Sequence, residues 1–233
     1  MKIGLVSDST SDIPPEVQEQ YAIEVVPAYI NINGSSYEDG IGITREEFYT
    51  RLPAMNPPPT TASPPVGSFQ DRYEKLLKAG SDFVVSIHPA ATLSGIFNSA
   101  RLAAREFGNR VRVIDSGQLS LGTGFQVLAA AEASRDGAAL EEVLAQVKSV
   151  HQRVRVMALL ESIEYVRRSG RVSWAKAIIG SLLRIQPLFE VRHGIVQRAG
   201  QVRTRRQGIA RLKEILLNLG PIGRLAILHT NAE

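Results

Sequence analysis

The sequence predicts an α/β protein: a doubly wound, mostly parallel sheet domain over residues 1–151, followed by a smaller α+β domain over residues 152–233. Three observations carry this reading. Short apolar runs alternate with helix-period segments from the N-terminus to about residue 151, the pattern of βα units feeding one parallel sheet. Polar loops recur at the carboxyl ends of those runs, from Ser7 to Asp12, from His88 to Ser94 and from Asp115 to Gly124, and open α/β sheets bind ligands along that edge. From Arg153 onward, hairpin signals mix with helical ones and the alternation breaks.

Taken in order, Lys2–Val6 reads as a buried strand, and Pro14 opens a helix to about Tyr21, since proline suits the first helical turn. Ile23–Ile32 is strand-rich, and Asn33-Gly34 is a hairpin turn into Ser35–Asp39. Thr44-Arg45-Glu46-Glu47 is a capping box, with Phe48 and Leu52 on the helical face behind it. The run Pro57-Pro58-Pro59-Thr60-Thr61-Ala62-Ser63-Pro64-Pro65 comes next. Prolines fix φ and donate no N–H, so a stiff loop is expected there, not a helix interior or a central strand. Read by itself, the run turns a corner and Ser63 caps the following helix.

Val66, Phe69, Tyr73, Leu76 and Leu77 then recur at helical spacing until Gly80 stops them. Phe83–Ile87 is a second strand. Ser94-Gly95 begins a helix with Ile96, Ala100, Ala103 and Phe107 on one face, ended by Gly108. Val111–Ile114 is a third strand, Gly122-Thr123-Gly124 leads into a helix over Phe125–Arg135, and another helix spans Ala138 to His151. In the second domain, Val154–Leu160 is a strand and Ser162–Arg168 a short helix. Ala175–Leu183 is an apolar helix, and Ile185–Val191 with Ile195–Arg198 form a hairpin about His193-Gly194. Arg205–Leu217 is an amphipathic helix and Leu225–Leu228 a last strand.

Composition narrows the function. The chain has 233 residues, 44% hydrophobic and 21% charged, enough to bury a core without staples. It has no cysteine, which excludes disulfides and thiolate chemistry and suits a reducing cytoplasm. No apolar run approaches about 18 residues, so no transmembrane helix is expected. The net charge is +4, with arginine concentrated between Arg153 and Arg211. Few aromatics interleave with it and no zinc-finger or RNP-like motif accompanies it, so a basic face for an acidic partner is expected rather than a nucleic-acid site. There is no P-loop motif. His88, His151, His193 and His229 lack metal-ligand spacing, and no metal site is expected.

What remains is hydroxyls at strand ends: Ser7, Ser9, Thr10, Ser11, Thr61, Ser94, Ser116 and Ser120. Ser94, near a helix entry, admits three readings. It is an anion site, a nucleophile served by His88 six residues earlier, or an ordinary cap. Asp8 and Asp12 fit catalytic carboxylates and loop caps about equally.

Several blocks together resemble the DegV family. Ser7-Asp8-Ser9-Thr10-Ser11-Asp12-Ile13-Pro14 is similar to its opening signature, and Asp39-Gly40, Ile43 to Tyr49 and Pro59-Thr60-Thr61-Ala62-Ser63-Pro64 follow in family order. Leu93-Ser94-Gly95-Ile96-Phe97-Asn98-Ser99-Ala100 resembles L-S-G-T-Y-x-S-A. Asp115-Ser116 with Ser120, Gly122 and Gly124 resembles D-S-x-x-x-S-x-G-x-G, and Ile163 to Val172 resembles L-E-Y-L-x-x-G-G-R-I. The departures are Ala90-Ala91 where the family carries serines, Ile96 for threonine, and Ser169 for glycine.

The resemblance implies a non-enzymatic carrier that binds one long-chain fatty acid between its two domains and presents the carboxylate to a partner fatty acid kinase. It needs no cofactor, works in the cytoplasm, and makes peripheral membrane contact for lipid exchange. By position, Thr61 and Ser94 would grip the carboxylate, with Thr60 and Ser116 as neighbouring hydroxyls. Arg171 would hold it ionised, and His229 would close the site from the second domain. Ile178, Ile179, Leu182, Leu183, Ile185 and Leu188 serve equally as a tunnel lining and as core. Burial of a chain of about sixteen carbons is worth at most roughly 12 kcal/mol. Family members continue past the late histidine, so a C-terminally truncated second domain is expected. The alternative function is a serine-dependent hydrolase or phosphotransferase using Ser94 with His88 or His229.

Overall fold

In the computed structural model, which describes residues 1–170 and 185–230, the first of two units, Met1–Val154, is built on four parallel strands. In chain order it runs β1 (Ile3–Asp8), α1 (Pro15–Gln20), β2 (Ile23–Val26), β3 (Tyr29–Ile32), β4 (Ser35–Glu38), α2 (Arg45–Arg51) and β5 (Thr60–Ala62). It continues through α3 (Val66–Lys78), β6 (Phe83–His88), α4 (Ile96–Ala104), β7 (Val111–Asp115), α5 (Leu121–Arg135) and α6 (Leu140–Arg153). The parallel sheet has the order β2-β1-β6-β7. Every residue of β1 is buried, as expected of a strand covered on both faces. Ile3, Leu5, Val85 and Ile87 pack on one side with Val127, Val143 and Val147 of α5 and α6. Val6 and Val84 pack on the other with Phe69, Tyr73, Ile96 and Ala100 of α3 and α4. The sheet is doubly wound.

The order of the strands fixes where a ligand edge lies. β2 sits on one side of β1 and β6 on the other, so the winding reverses between β1 and β6, and open α/β sheets bind ligands outside the carboxyl ends at such a switch point. The β1–β6 register pairs Val6 with Ser86. Two residues further, on the same face of the pleat, it brings Asp8 towards His88.

A second, antiparallel sheet of order β4-β3-β5 buries Ile30 and Ile32 with Ile43. Asn33 and Gly34 turn its hairpin with φ of 50° and 83°, the pair of positive values that a two-residue I′ turn demands. Here the structure departs from the sequence reading. Thr60–Ala62 is a strand, not loop, and Thr61 lies opposite Ile30. The strand is at an edge and its prolines flank it, so no ladder donor is lost. Pro65, not Ser63, is the N-cap of α3.

Two glycine positions also differ from expectation. The helix α5 begins at Leu121, so Gly122 and Gly124 lie within it. Gly124 is needed for close approach: a Cβ there would stand 2.7 Å from the carbonyl oxygen of Ser11. The helix α4 stops at Ala104, and a 3-10 segment continues through Gly108 to Arg110.

The second unit, Arg155–Glu233, contains β8 (Val156–Leu159), α7 (Glu164–Arg168), β9 (Gln186–Arg192), β10 (Ile195–Val202) and the helix Arg205–Leu217. Its antiparallel sheet has the order β10-β9-β8, with Leu188, Phe189 and Val191 buried and the expected turn at His193-Gly194 in the positive-φ region. The expected helix Ala175–Leu183 lies outside the described residues, as do Ile178, Ile179, Leu182 and Leu183. Leu225–Leu228 is not a strand. An apolar run becomes a strand only beside an edge that takes its N–H and C=O groups, and this one pairs with no described strand; Ile227 is 86% exposed. Among the described residues no helix is long and apolar enough to cross a membrane.

Gly124→Ala should destabilise the first unit by about 1–3 kcal/mol, because backbone must shift to admit the methyl. Gly67→Ala in α3, where the nearest atom would be Gln70 Oε1 at 4.0 Å, should be neutral or stabilising by about 0.5 kcal/mol. Urea midpoints of the two variants check the contrast.

Candidate functional site

The carboxyl ends of β1 and β6 carry a layer of polar groups, and the hydrogen bonds separate those spent on building the edge from those that line it. Asp8 closes β1 and caps the 3-10 turn Ser9–Ser11, its Oδ1 accepting from the Thr10 amide and hydroxyl. Ser11 Oγ donates to the Asp8 carbonyl at 2.8 Å, and Ser9 Oγ accepts from the Ala28 amide at 3.0 Å. Asp12 stands in the left-handed region at φ 55° and accepts from both Arg45 and Ser120 Oγ. Arg45 also donates to the Ser9 carbonyl at 2.9 Å. Ser120 itself holds φ 52° and ψ −143°, a conformation costing a non-glycine residue roughly 1–3 kcal/mol. The opening block of hydroxyls and carboxylates is thus turned inward, joining β1 to the starts of α2 and α5.

Ser94 is placed differently. After β6 the chain turns with Ala90 N–H donating to the Gln118 carbonyl at 2.8 Å and Ser94 N–H donating to the Ala90 carbonyl at 3.0 Å. The half-buried Ser94 accepts the Ile96 amide at 3.3 Å. Gly95 is the N-cap of α4 and brings no side-chain bond, so the Ser94 hydroxyl sits where helix N–H groups and the dipole favour an anion. The strand β5 is beside it: a Cβ on Gly95 would come within 3.0 Å of Ser63 Oγ. Thr61 and Ser94 therefore lie on adjoining segments, two residues before Ser63 and one before Gly95, and Thr60 and Thr61 are exposed.

Ser116 does not face this edge. It is fully buried, and its hydroxyl is engaged with Thr123 Oγ1 at 2.9 Å and with the Gln118 amide at 3.1 Å. Arg171 lies outside the described residues. His229 is exposed in the second unit.

Sequence reasoning missed a buried chain at the switch point. His88 Nδ1 lies 2.7 Å from Asp8 Oδ2, His88 Nε2 lies 2.6 Å from Ser86 Oγ, and Ser86 Oγ lies 2.9 Å from Tyr73 OH. Asp8, Ser86, His88 and Tyr73 all have 0% exposure. With Nδ1–H donating to the Asp8 carboxylate, Nε2 accepts from Ser86. Both ring nitrogens are then occupied, so the pairing of Ser94 with His88 as its base is not formed. The triad-like order Ser86, His88, Asp8 cannot serve a substrate either, because no solvent reaches Ser86. Burial pushes the Tyr73 phenol well above its ordinary value, partly offset by the Ser86 hydrogen bond. The one hint in the sequence was Ser86-x-His88 at the end of a strand facing Asp8 at the end of another, legible only once the register is known.

A family model described as "Uncharacterised protein, DegV family" matches residues 2–233. The chain belongs to the DegV family. A DegV domain-containing protein of Deinococcus radiodurans is 36% identical over 214 residues, covering 92% of this chain and 76% of the relative. Among solved structures, a DegV family protein from Thermus thermophilus, described for fatty acid binding, superposes with a TM-score of 0.87 at 34% identity, covering 94% of this chain and 78% of its own. DegV of Bacillus subtilis, described as a fatty acid binding protein, gives a TM-score of 0.85 at 33% identity with the same coverages. The parallel sheet followed by a separate antiparallel unit is thus the DegV family's two-domain α/β fold.

The raised Tyr73 value has a defined sign. Above about pH 10 the unfolded chain ionises this phenol while the folded chain keeps it neutral, so the stability it contributes is present below about pH 10 and is lost as pH rises further. Urea unfolding at about pH 8 and about pH 11 should show a smaller alkaline loss in Tyr73→Phe than in the wild-type chain.

Proposed function

We propose that this protein is a cytoplasmic carrier that holds a long-chain fatty acid by its carboxylate, at the hydroxyls of Thr61 and Ser94, and offers that carboxylate to a partner kinase without chemistry of its own. The observation that carries the reading is the approach of Ser63 to Gly95, which sets the Thr60–Ala62 strand beside the Ser94 turn at a helix amino end. Hydroxyl donors there suit a carboxylate, whose charge the helix dipole favours. The fatty-acid-binding relatives support the same substrate class. Occupation of His88 by Asp8 and Ser86 favours a carrier over a hydrolase that would draw on His88.

Thr60 and Ser116 enter as supports of the edge, Ser116 through the buried turn that Thr123 and Gln118 share. Arg171 and His229 enter on the family resemblance alone. Contact with a membrane surface would be transient, during loading.

Hydrogen bonds to a charged group are worth about 1.5–3 kcal/mol each. Thr61→Val and Ser94→Ala should therefore each weaken palmitate binding by about tenfold or more, with thermal midpoints nearly unchanged. Displacement of a fluorescent fatty acid measures this; equal affinity in both variants and the wild type would rule the assignment out.

A further inference from the structure

The segment that carries Ser94 is fastened at both ends by one hydrogen-bond chain. Six residues before Ser94 is His88, bonded to Asp8 and Ser86. Six residues after it is Ala100, whose carbonyl accepts from Tyr73 OH at 3.3 Å. The same Tyr73 hydroxyl stands 2.9 Å from Ser86 Oγ, so Asp8, His88, Ser86 and Tyr73 form a continuous buried path from the end of β1 to the first turns of α4. Aromatic packing holds the path in place: Phe69 meets the His88 ring edge-on at 5.1 Å, and Phe107 meets Tyr73 at 5.7 Å.

The proton inventory makes the path act as a unit. In the tautomer whose Nδ1–H donates to Asp8, His88 takes the Ser86 proton at Nε2. Ser86 Oγ then accepts from Tyr73, whose single O–H is shared between Ser86 and the Ala100 carbonyl. Cutting the path at Asp8, His88 or Ser86 leaves a buried polar group without its partner, which the dry surroundings make costly; cutting it at Tyr73 removes the bond that Ser86 Oγ accepts and the one that reaches the Ala100 carbonyl. The group nearest α4, Tyr73, would release the hold on Ala100 and hence on the turn at Ser94.

We propose that Tyr73, Ser86 and His88 are positioning residues for the carboxylate end of the ligand site: their chain to Asp8 sets α4 at the height where the Ser94 hydroxyl meets the carboxylate. The proposal rests on the carboxylate-binding reading of Ser94 and adds what holds that hydroxyl in register. Grip on a headgroup depends on sub-ångström placement, whereas burial of an acyl chain does not.

The test compares palmitate with hexadecanol, which share a chain and differ in the headgroup, by displacement of a fluorescent fatty acid from the full-length protein. Ser94→Ala should lower the preference for the acid over the alcohol by about tenfold. Tyr73→Phe should lower it by about three- to tenfold while leaving hexadecanol affinity unchanged, and the double variant should lose no more than Ser94→Ala alone.

If Ser94→Ala leaves the preference intact, the carboxylate reading itself fails. If Ser94→Ala lowers it but Tyr73→Phe does not, or if the two losses multiply, the positioning role is overturned and the chain is structural only. A loss in Tyr73→Phe that falls equally on acid and alcohol also overturns it. Should Tyr73→Phe not fold, Ser86→Ala cuts the path one link earlier and is read by the same criteria.

Discussion

The bond between His88 and Asp8 joins the two strands between which the winding of the sheet reverses. It depends on the register that pairs Val6 with Ser86, for a slip of one residue would turn Ser86 and His88 to the opposite face and leave Asp8 against apolar side chains. It also depends on complete satisfaction. The Asp8 carboxylate is filled by His88, the Thr10 amide and the Thr10 hydroxyl, and a buried polar group stripped of its partner costs about 1–3 kcal/mol, more when it is charged. The polar loops that define the ligand edge leave from the ends of these two strands, and both inherit their placement from this pair.

The edge itself divides its labour. Hydroxyls near β1 (Ser9, Thr10 and Ser11) face inward and build the turn. Asp12 ties that turn to Arg45 and Ser120. Ser94 stays half-buried at the start of α4, and the Thr60–Ala62 strand is exposed; these are the segments proposed to meet the carboxylate. An edge whose backbone is fixed in this way by main-chain and turn hydrogen bonds would lose little entropy on meeting a ligand.

Much of this was legible in the sequence. The helix Arg205–Leu217 has the bounds that its amphipathic pattern foretold, and the hairpins at Asn33-Gly34 and His193-Gly194 announced themselves through residues that tolerate positive φ. What was not legible depended on distant neighbours. Thr60–Ala62 became a strand because β3 offers it an edge, which proline content cannot reveal. Gly122 and Gly124 read as a loop, yet lie in α5 because the Ser11 carbonyl stands against Gly124. Leu225–Leu228 has the composition of a strand but pairs with no described one. In the site, Ser94 and Thr61 came from family motifs, whereas the pairing of His88 with Asp8 needed the register of two strands eighty residues apart.

The central claim is that a carboxylate is held at Ser94 beside the Thr60–Ala62 strand. Nuclear magnetic resonance of palmitate labelled at its carboxyl carbon tests it most directly. Bound to the protein, the label should give one resonance in slow exchange with free palmitate, and that resonance should shift in both Ser94→Ala and Thr61→Val. A bound carboxyl resonance unmoved by either substitution, or none distinct from free palmitate, would contradict the account.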